Sequence, residues 1–180
     1  MKNAISNYYL KLDELWLEKR KSHPKVPFNS KMPKFMYFGH KSDSGYISWR
    51  IHEVKGTFDF FALDKKIGFN LNSEIKQYFS SYYFLRMKGE IDNIIISLTP
   101  ITPLIDIETF FSERVRISNE ENRDIQKIEI GNAEIDGADG YLINYDNRSG
   151  VVEIYDPEFE STKIISKSLV KLINNLKPRC

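Results

Sequence analysis

The chain has 180 residues, of which 41% are hydrophobic and 13% aromatic, so it holds enough apolar material for one domain and is not disordered throughout. No apolar run approaches the roughly 20 residues that cross a bilayer, and the first residues lack the pattern of a secretory signal, so we expect a cytoplasmic protein without a membrane span. The single cysteine, Cys180, excludes an internal disulfide.

The charges are segregated along the chain, although 26 basic and 25 acidic residues nearly cancel. Residues 1–50 carry a net charge of +6 and residues 161–180 carry +5, whereas residues 101–160 contain five basic and fifteen acidic residues, a net charge of −10. This distribution predicts an acidic surface that attracts a basic partner. In the alternative interpretation, the basic termini fold back beside the acidic segment and neutralise it. Both interpretations remain open at this point.

The first half of the chain predicts three helices and two strands. Apolar residues at helical spacing predict an amphipathic helix over 3–21, which ends before Pro24. Aromatic and β-branched residues at 35–38 and 46–51 predict two short strands. The remaining predictions are a helix over 57–67 that ends at Gly68, and a helix capped by Asn72 or Ser73 that carries Ile75, Tyr78, Phe79, Tyr82 and Tyr83.

The second half predicts a sheet framed by two helices. Strands are expected at 91–98, 127–130, 133–135, 141–145 and 151–155, with a β-hairpin turn at 146–150. A helical pattern begins at Ile107, residues 118–124 are expected to be a loop, and a closing helix is expected over 165–176. The order predicts a single α+β domain over residues 1–180, with a mostly antiparallel central sheet packed by N- and C-terminal helices.

Residues that carry catalysis are scarce. His23 lies at a helix end before a proline, and a ribonuclease-like acid–base pair of His40 and His52 is conceivable, although their spacing does not require it. No pattern of histidines and cysteines suits zinc, and the acidic run 136–140 lacks the ligand spacing of a calcium loop, so it is read as a turn. We therefore expect no catalytic residue, metal or cofactor.

Several segments resemble the Syd family of SecY-interacting proteins, which belongs to the SUKH superfamily. The resemblance lies in Tyr9 to Glu18 with Trp16, then Pro24 and Pro27, Trp49, Phe61 to Leu63 with Gly68, and Ile75 to Tyr83 with Ser80 and Ser81. It is more specific in Asn144 to Val152 and in Ile165 to Pro178. The chain departs from the family pattern at 99–103 and at 118–123, which bears on the partner more than on the fold.

The resemblance implies a SUKH-type α+β fold and a non-catalytic binding role. Many members of the superfamily look like immunity proteins that neutralise toxins delivered between bacteria, whereas Syd proteins bind the SecY translocon. We therefore expect a non-enzymatic immunity protein for a cognate toxin domain of the basic nuclease type. A Syd-like regulator on basic cytoplasmic loops of SecY is the alternative, and the histidine-dependent ribonuclease is a third reading. Neither of the two binding readings involves direct contact with nucleic acid.

The residues expected to bind the partner are carboxylates of the acidic segment together with two aromatic side chains. A basic partner would be steered by the carboxylates, and desolvated aromatic side chains would provide affinity. The alternative for each carboxylate is an idle place on a solvated face, and the alternative for Trp49 is a place in the core. The predicted set is Glu120, Glu121, Asp124, Glu129, Glu134, Asp136, Asp139, Asp156, Glu158, Glu160, Trp49 and Tyr155.

Overall fold

The computed structural model describes residues 1–180, and its first half contains three helices and five short strands. These elements are α1 (Lys2–Arg20), β1 (Lys25–Pro27), a 3-10 turn (Lys34–Met36), β2 (Tyr37–Phe38), β3 (Tyr46–Trp49), β4 (His52–Glu53), α2 (Phe60–Ile67), α3 (Ser73–Ser81) and β5 (Tyr82–Tyr83). Strands β1, β3 and β2 form a small sheet in that order, and β4 pairs with β5. These strands pack beside α1 rather than joining the central sheet.

The second half builds the central sheet. Its elements are β6 (Met87–Ile91), β7 (Ile94–Leu98), α4 (Ile107–Glu120), β8 (Lys127–Ile135), β9 (Ala138–Asp146), β10 (Val152–Asp156), β11 (Ser161–Ser166), α5 (Leu169–Asn175) and β12 (Lys177–Pro178). The seven strands lie in the order β11-β10-β9-β8-β7-β6-β12, and every neighbouring pair is antiparallel. The predicted α+β class with an antiparallel central sheet is confirmed.

Side-chain caps begin the later helices where the sequence offers short polar residues. Asn72 Oδ1 accepts a hydrogen bond from the Glu74 N–H at 2.9 Å and so begins α3, as predicted. Asp106 begins α4 in the same way, and Ser168 Oγ accepts from the Lys171 N–H at 3.1 Å at the start of α5. The α5 terminus has a second acceptor, because the Glu74 carboxylate takes the N–H groups of Leu169 and Val170. Helices α3 and α5 are thereby joined.

The core lies on one face of the central sheet. Thirty-three buried hydrophobic residues form one cluster, in which Ile5 and Tyr8 of α1 and Leu172 of α5 meet strand residues such as Ile96 and Ile143. Burying this face supplies the main driving force for folding, at about 25 cal/mol per Å² of apolar surface. None of the five helices combines the length and hydropathy that a membrane crossing requires. The opposite face of the sheet carries mainly polar side chains.

The structure corrects several sequence predictions. The strand expected over 91–98 begins only at Ile94, as β7, because Asp92 and Asn93 take positive φ angles of 47° and 65° and turn the chain; Ile91 ends the preceding strand β6. The strands expected at 127–130 and 133–135 are one strand, β8, with bulges. Residues expected to be loop at 118–120 complete α4, and Tyr82 and Tyr83 leave α3 for a strand.

A further correction concerns the closing helix. Ile165 belongs to β11, not to the helix, because the Ser168 cap delays α5 until Leu169. Strand β11 was missed because its sequence is largely polar, as suits an edge strand that is mostly exposed to solvent.

Candidate protein-binding face

One face of the central sheet is not covered by helices α1, α3 and α5. Strand register places one row of residues across six strands on this face: Lys88, Ser97, Asn132, Leu142, Tyr155 and Thr162. A second row runs through Glu129, Asn144, Glu153 and Ile164. Three cavities of about 370, 500 and 400 Å³ are lined by residues of these rows. We call this surface the open face.

Three hairpin turns meet at one end of the open face. The β6–β7, β8–β9 and β10–β11 turns lie at this end because Ile91 pairs with Ile94, Ile94 with Ile135, and Ile135 with Ala138, while β10 runs antiparallel to β9. Acidic residues suit these positions because Asp and Asn tolerate the positive φ that tight hairpins require. Asp136, with a φ of 50°, precedes Gly137 at 81°.

These turns collect seven carboxylates that form no ion pair with a lysine or arginine, and we call them the acidic turns: Asp92, Glu134, Asp136, Asp139, Asp156, Glu158 and Glu160. Six of the seven belong to the predicted partner-binding set. Asp92 was not predicted, because the β6–β7 turn was read as part of a strand. Asp156 Oδ1 also accepts the N–H groups of Glu158 and Phe159, so it shapes the third turn. The acidic segment therefore does produce a local concentration of negative charge.

The other four predicted carboxylates are neutralised by neighbouring basic residues. Glu120 pairs with Arg116 at 2.6 Å, Glu121 with Arg123 at 2.6 Å, and Glu129 with Arg114 at 3.1 Å; Asp124 pairs with Arg148. All five basic residues in 101–160 form such ion pairs, since the fifth, Lys127, pairs with Glu153. No ion pair joins a basic residue of 1–50 or 161–180 to the acidic segment. The basic C-terminal segment does lie beside the acidic segment, since β11 with Lys163 pairs with β10, but it forms no ion pair with it.

An ion triad lies within the open face. Lys127 Nζ lies 2.7 Å from Glu153 Oε2 and 3.2 Å from Asp146 Oδ2, and the Glu153 side chain is only 5% exposed. Burial favours the neutral form of Lys127, but hydrogen bonds and attraction from the two carboxylates outweigh it and raise the pKa of Lys127. Burial likewise opposes the charged form of Asp146, but N–H groups of Arg148 and Ser149 and the Lys127 ammonium lower its pKa. One ammonium thus faces two carboxylates, which leaves the triad with net negative charge.

A polar cavity of about 500 Å³ lies between this triad and the acidic turns, and we call it the Tyr155 cavity. Its walls include Arg123, Lys127, Asn144, Tyr155 and Glu160. Arg123 stands over the Tyr155 ring at 5.7 Å from its centroid. Asn144 is 3% exposed, and its Oδ1 accepts no hydrogen bond from any protein group. A buried acceptor without a donor costs about 1–3 kcal/mol, so the arrangement is not one that folding alone favours.

The two predicted aromatic anchors lie in different places. Tyr155 is partly exposed on the open face, close to Glu160. Trp49 is 2% exposed and packs edge-on against Tyr9 with ring centroids 4.8 Å apart, so it is a core residue and lies outside the open face. Lys127, Asn144 and Glu153 were missed by the sequence reasoning. Polar residues within otherwise apolar strands were the signal that could have found them.

The three histidines lie outside the open face. His23 Nδ1 forms a 2.7 Å contact with Asp13 Oδ1 beside α1, and His40 is exposed in the loop after β2. His52 lies in β4, where its ring packs edge-on against Phe35 with centroids 5.1 Å apart. Burial, followed by the positive charge of Arg50, lowers the pKa of His52. These surroundings hold His52 by packing and pairing within the two-stranded sheet.

The chain matches no protein-family model, and no curated protein sequence matches it. The resemblance to Syd proteins and to the SUKH superfamily therefore stays a prediction that depends on the segments quoted above. The α+β class and the strand order are shown by the structure itself.

Proposed function

We propose that the chain is a non-enzymatic binding protein that captures a basic protein partner at the acidic end of its open face. A toxin domain of nuclease type is the partner that this proposal favours, with the chain acting as its immunity protein. The observation that carries the proposal is the group of seven carboxylates in three adjacent turns, none of them paired with a basic residue.

Unpaired carboxylates at adjacent turns are suited to attracting a basic partner and do little to stabilise the fold. Surface charges of one sign contribute little to folding and repel one another, but they raise the rate of encounter with an oppositely charged protein by about 10- to 1,000-fold at low salt. Phe159 lies in the third turn and Ile164 follows in β11, and they are 73% and 61% exposed to solvent. Both provide apolar surface that a partner could bury. The carboxylates would thus speed the approach of the partner, and the apolar contacts would lengthen the lifetime of the complex.

The test is co-expression of the chain with a panel of basic nuclease toxin domains, scored by rescue of bacterial growth. A domain that is neutralised would then be mixed with the purified chain in stopped-flow measurements at several salt concentrations. We expect the association rate to fall as salt is added, because screening weakens attraction between exposed charges. Retention of SecY from detergent-solubilised membranes, with no toxin neutralised, would instead favour the translocon regulator.

Charge reversal sharpens the test. The triple variant Glu134→Lys, Asp139→Lys and Glu158→Lys spares Asp136 and Glu160, whose positive φ angles of 50° and 47° would add backbone strain to the effect of charge. We expect association to slow by about tenfold or more at low salt. The matched control makes the same charge change at exposed, unpaired residues elsewhere: Glu14→Lys, Glu18→Lys and Asp43→Lys. Equal association rates for the two triple variants would contradict the proposal.

A further inference from the structure

We propose that a cavity on the open face, away from the acidic turns, binds the carboxylate of an aspartate or glutamate side chain on the partner protein. This inference rests on the proposed function, since it adds a second contact to the same partner and fixes the orientation in which that partner lies. The cavity has a volume of about 370 Å³ and lies over β6, β7 and β8, and we call it the Lys88 cavity. The residues of its wall that can donate hydrogen bonds to an anion include Arg86, Lys88, Ser97, Arg114 and Asn132.

Strand register brings these donors together. Lys88 pairs with Ser97, and Ser97 pairs with Asn132, so the three side chains form a row across β6, β7 and β8. Arg86, one residue before β6, lines the same cavity. Neighbouring strands lie about 4.8 Å apart, so the strands that carry Lys88 and Asn132 are about 10 Å apart. A carboxylate fits between side chains that rise from these two strands.

The Lys88 cavity carries net positive charge, and two of its cations are free. Arg86 and Lys88 form no ion pair within the chain. Arg114 is the third cation, and it is paired at 3.1 Å with Glu129, the one carboxylate of the wall. Since the wall holds three cations and one carboxylate, its formal charge is +2. The cavity is therefore suited to an anion.

The neutral donors of the cavity are also free, and a ligand can reach them. The Ser97 hydroxyl and the Asn132 amide form no hydrogen bond within the chain; Ser97 is partly exposed and Asn132 is exposed. A carboxylate has two oxygens with about four acceptor sites, so it can accept from Lys88, Ser97 and Asn132 at the same time. A hydrogen bond from the Lys88 ammonium is shorter and stronger than one between neutral groups, because both partners are charged.

The acidic turns favour a protein carboxylate over the phosphates of a nucleic acid. Lys88 lies four residues before Asp92 of the acidic turns, which is about 13 Å along an extended strand. A nucleic acid lying on the open face would bring its phosphates close to these unpaired carboxylates, and like charges repel. A folded protein, in contrast, can present basic residues to the turns and one carboxylate to the cavity. The occupant that suits both parts of the open face is an acidic side chain on a basic protein.

The first experiment requires no partner protein. The full chain, labelled with 15N, is titrated at constant ionic strength with N-acetyl-glutamate methylamide, which carries one side-chain carboxylate. We expect saturable amide shifts at residues 86–88, 97–99, 114 and 131–132, with a dissociation constant of about 10 mM for a ligand of this size. N-acetyl-glutamine methylamide, the neutral counterpart, should bind at least about fivefold more weakly.

Two substitutions and one control locate the site. Lys88→Gln and Arg86→Gln should each weaken binding of N-acetyl-glutamate methylamide by about threefold to fivefold, because each removes a charge-assisted hydrogen bond. Lys177→Gln is the control, since Lys177 is exposed in the neighbouring strand β12 and lies outside the cavity. It should weaken binding by less than about twofold. Equal losses in the three variants would mean that a diffuse positive field attracts the ligand and that the cavity is not a site.

A neutralised toxin domain allows a second experiment. Lys88→Gln should raise the dissociation rate of the complex by about tenfold and should not slow association, because a basic partner gains nothing from this cation during its approach. The charge reversal in the acidic turns has the opposite pattern, since it slows association. Replacing each aspartate and glutamate of the toxin domain by its amide should identify one carboxylate whose loss has no further effect in Lys88→Gln. A toxin domain without such a carboxylate would overturn the inference.

Three other results would also overturn it. Shifts that rise linearly and spread over all exposed lysines would mean that the carboxylate acts only as a counterion. Saturable binding of inorganic phosphate, with none of N-acetyl-glutamate methylamide, would assign the cavity to a small anion. Micromolar binding of a short single-stranded DNA through the same amides would assign it to a nucleic acid. If no toxin domain is neutralised, the titration still tests the cavity, and a failed titration leaves the tests of the acidic turns unaffected.

Discussion

Gly131 lies so close to the neighbouring strand that a Cβ atom built on it would stand 2.3 Å from the carbonyl oxygen of Ser97. Gly131 belongs to β8 and lies at a bulge, where the pairing with β9 shifts by one residue. On its other side it pairs with Leu98 of β7. The atom in the way belongs to the backbone, so it cannot rotate aside as a flexible side chain would. The bulge in β8 therefore depends on a residue without a side chain.

Gly131→Ala should destabilise the fold by about 1–3 kcal/mol, because the added methyl group would push β7 and β8 apart in the middle of the sheet. The measurement is urea unfolding at neutral pH. The control is Asn132→Ala, the next residue in the strand, whose side chain is exposed on the open face. Equal stability of the two variants would mean that the strands yield more easily than their spacing indicates.

The contact between Lys127 and Glu153 gives a second prediction. Lys127→Met should lower the free energy of unfolding by about 2–3 kcal/mol, because it leaves the nearly buried Glu153 carboxylate without its cation. Breaking a fully buried pair costs about 3–5 kcal/mol, and the lower value reflects the partial exposure of Lys127. Urea unfolding measures the change.

The double variant Lys127→Met with Glu153→Gln separates the ion pair from packing. It should recover part of the stability, since the carboxylate that would be left alone is removed with its partner. Lys163→Met is the control, because Lys163 is exposed in β11 and forms no ion pair. A double variant that is less stable than Lys127→Met would contradict this account of the triad.

Acid should weaken the fold through Asp124 and Asp146. The hydrogen bond from Arg148 lowers the pKa of Asp124, and hydrogen bonds from the chain and from Lys127 overcome burial to lower the pKa of Asp146. A carboxyl group whose pKa is lower in the folded than in the unfolded chain stabilises the fold above its ordinary pKa of about 3.9. That stability is lost as the pH falls through the folded pKa.

The check is urea unfolding at a series of pH values from 6 down to the acid limit of folding. Asp124→Asn and Asp146→Asn should each lose less stability between about pH 4 and pH 2 than the unchanged chain does. Asp43→Asn, at an exposed and unpaired position, should follow the unchanged chain. The opposite sign holds for Lys127, whose raised pKa contributes stability that is lost only when the pH rises above about 10.4.

The sequence could predict elements whose signals are local. Asn72, one of the two expected caps, begins its helix, and Asp136 with Gly137 turns the chain as expected, although residues 138–140 of the predicted turn belong to β9. Capping and turn chemistry depend on adjacent residues. Strands β6 and β11 were not predicted, since β6 is short and contains a lysine, a glycine and a glutamate, and β11 is a largely polar edge strand. Their place in the sheet comes from pairing with distant residues.

The candidate site, like the fold, could be predicted from the sequence only in part. Residue types alone indicated that Glu134, Asp139 and Glu158 carry negative charge, and of the three only Asp139 was predicted to lie in a turn. Strand order then placed all three at one end of the sheet. Whether a carboxylate is free could not be predicted, because the cation that neutralises it often comes from elsewhere in the chain. Asp124, for example, is paired with Arg148, 24 residues away. The same applies to the Tyr155 cavity: a polar residue within an apolar strand marks Asn144 in the sequence, but only the structure shows that its Oδ1 has no donor.

Asn147 provides the last prediction, because it ties the β9–β10 turn to the start of α3. Its Oδ1 accepts the Asn72 N–H at 2.7 Å, its Nδ2 donates to the Asn70 carbonyl at 2.9 Å, and the residue is 6% exposed. Asn147→Ala should lower the free energy of unfolding by about 2 kcal/mol, because two backbone groups lose their partners in a largely buried place.

Asn147→Asp tests whether the donor Nδ2 of Asn147 is needed for stability. The variant keeps an acceptor for the Asn72 N–H, but it has no donor for the Asn70 carbonyl and it adds a charge. It should therefore be less stable than the unchanged chain. Ser149→Ala is the control in the same turn, where the exposed hydroxyl accepts only one long hydrogen bond, at 3.4 Å from the Val151 nitrogen. Because the Asn147 contacts hold the Asn72 cap, hydrogen exchange of the first turn of α3 should speed up in Asn147→Ala and not in Ser149→Ala. Unchanged exchange there would show that the turn and the helix are held independently.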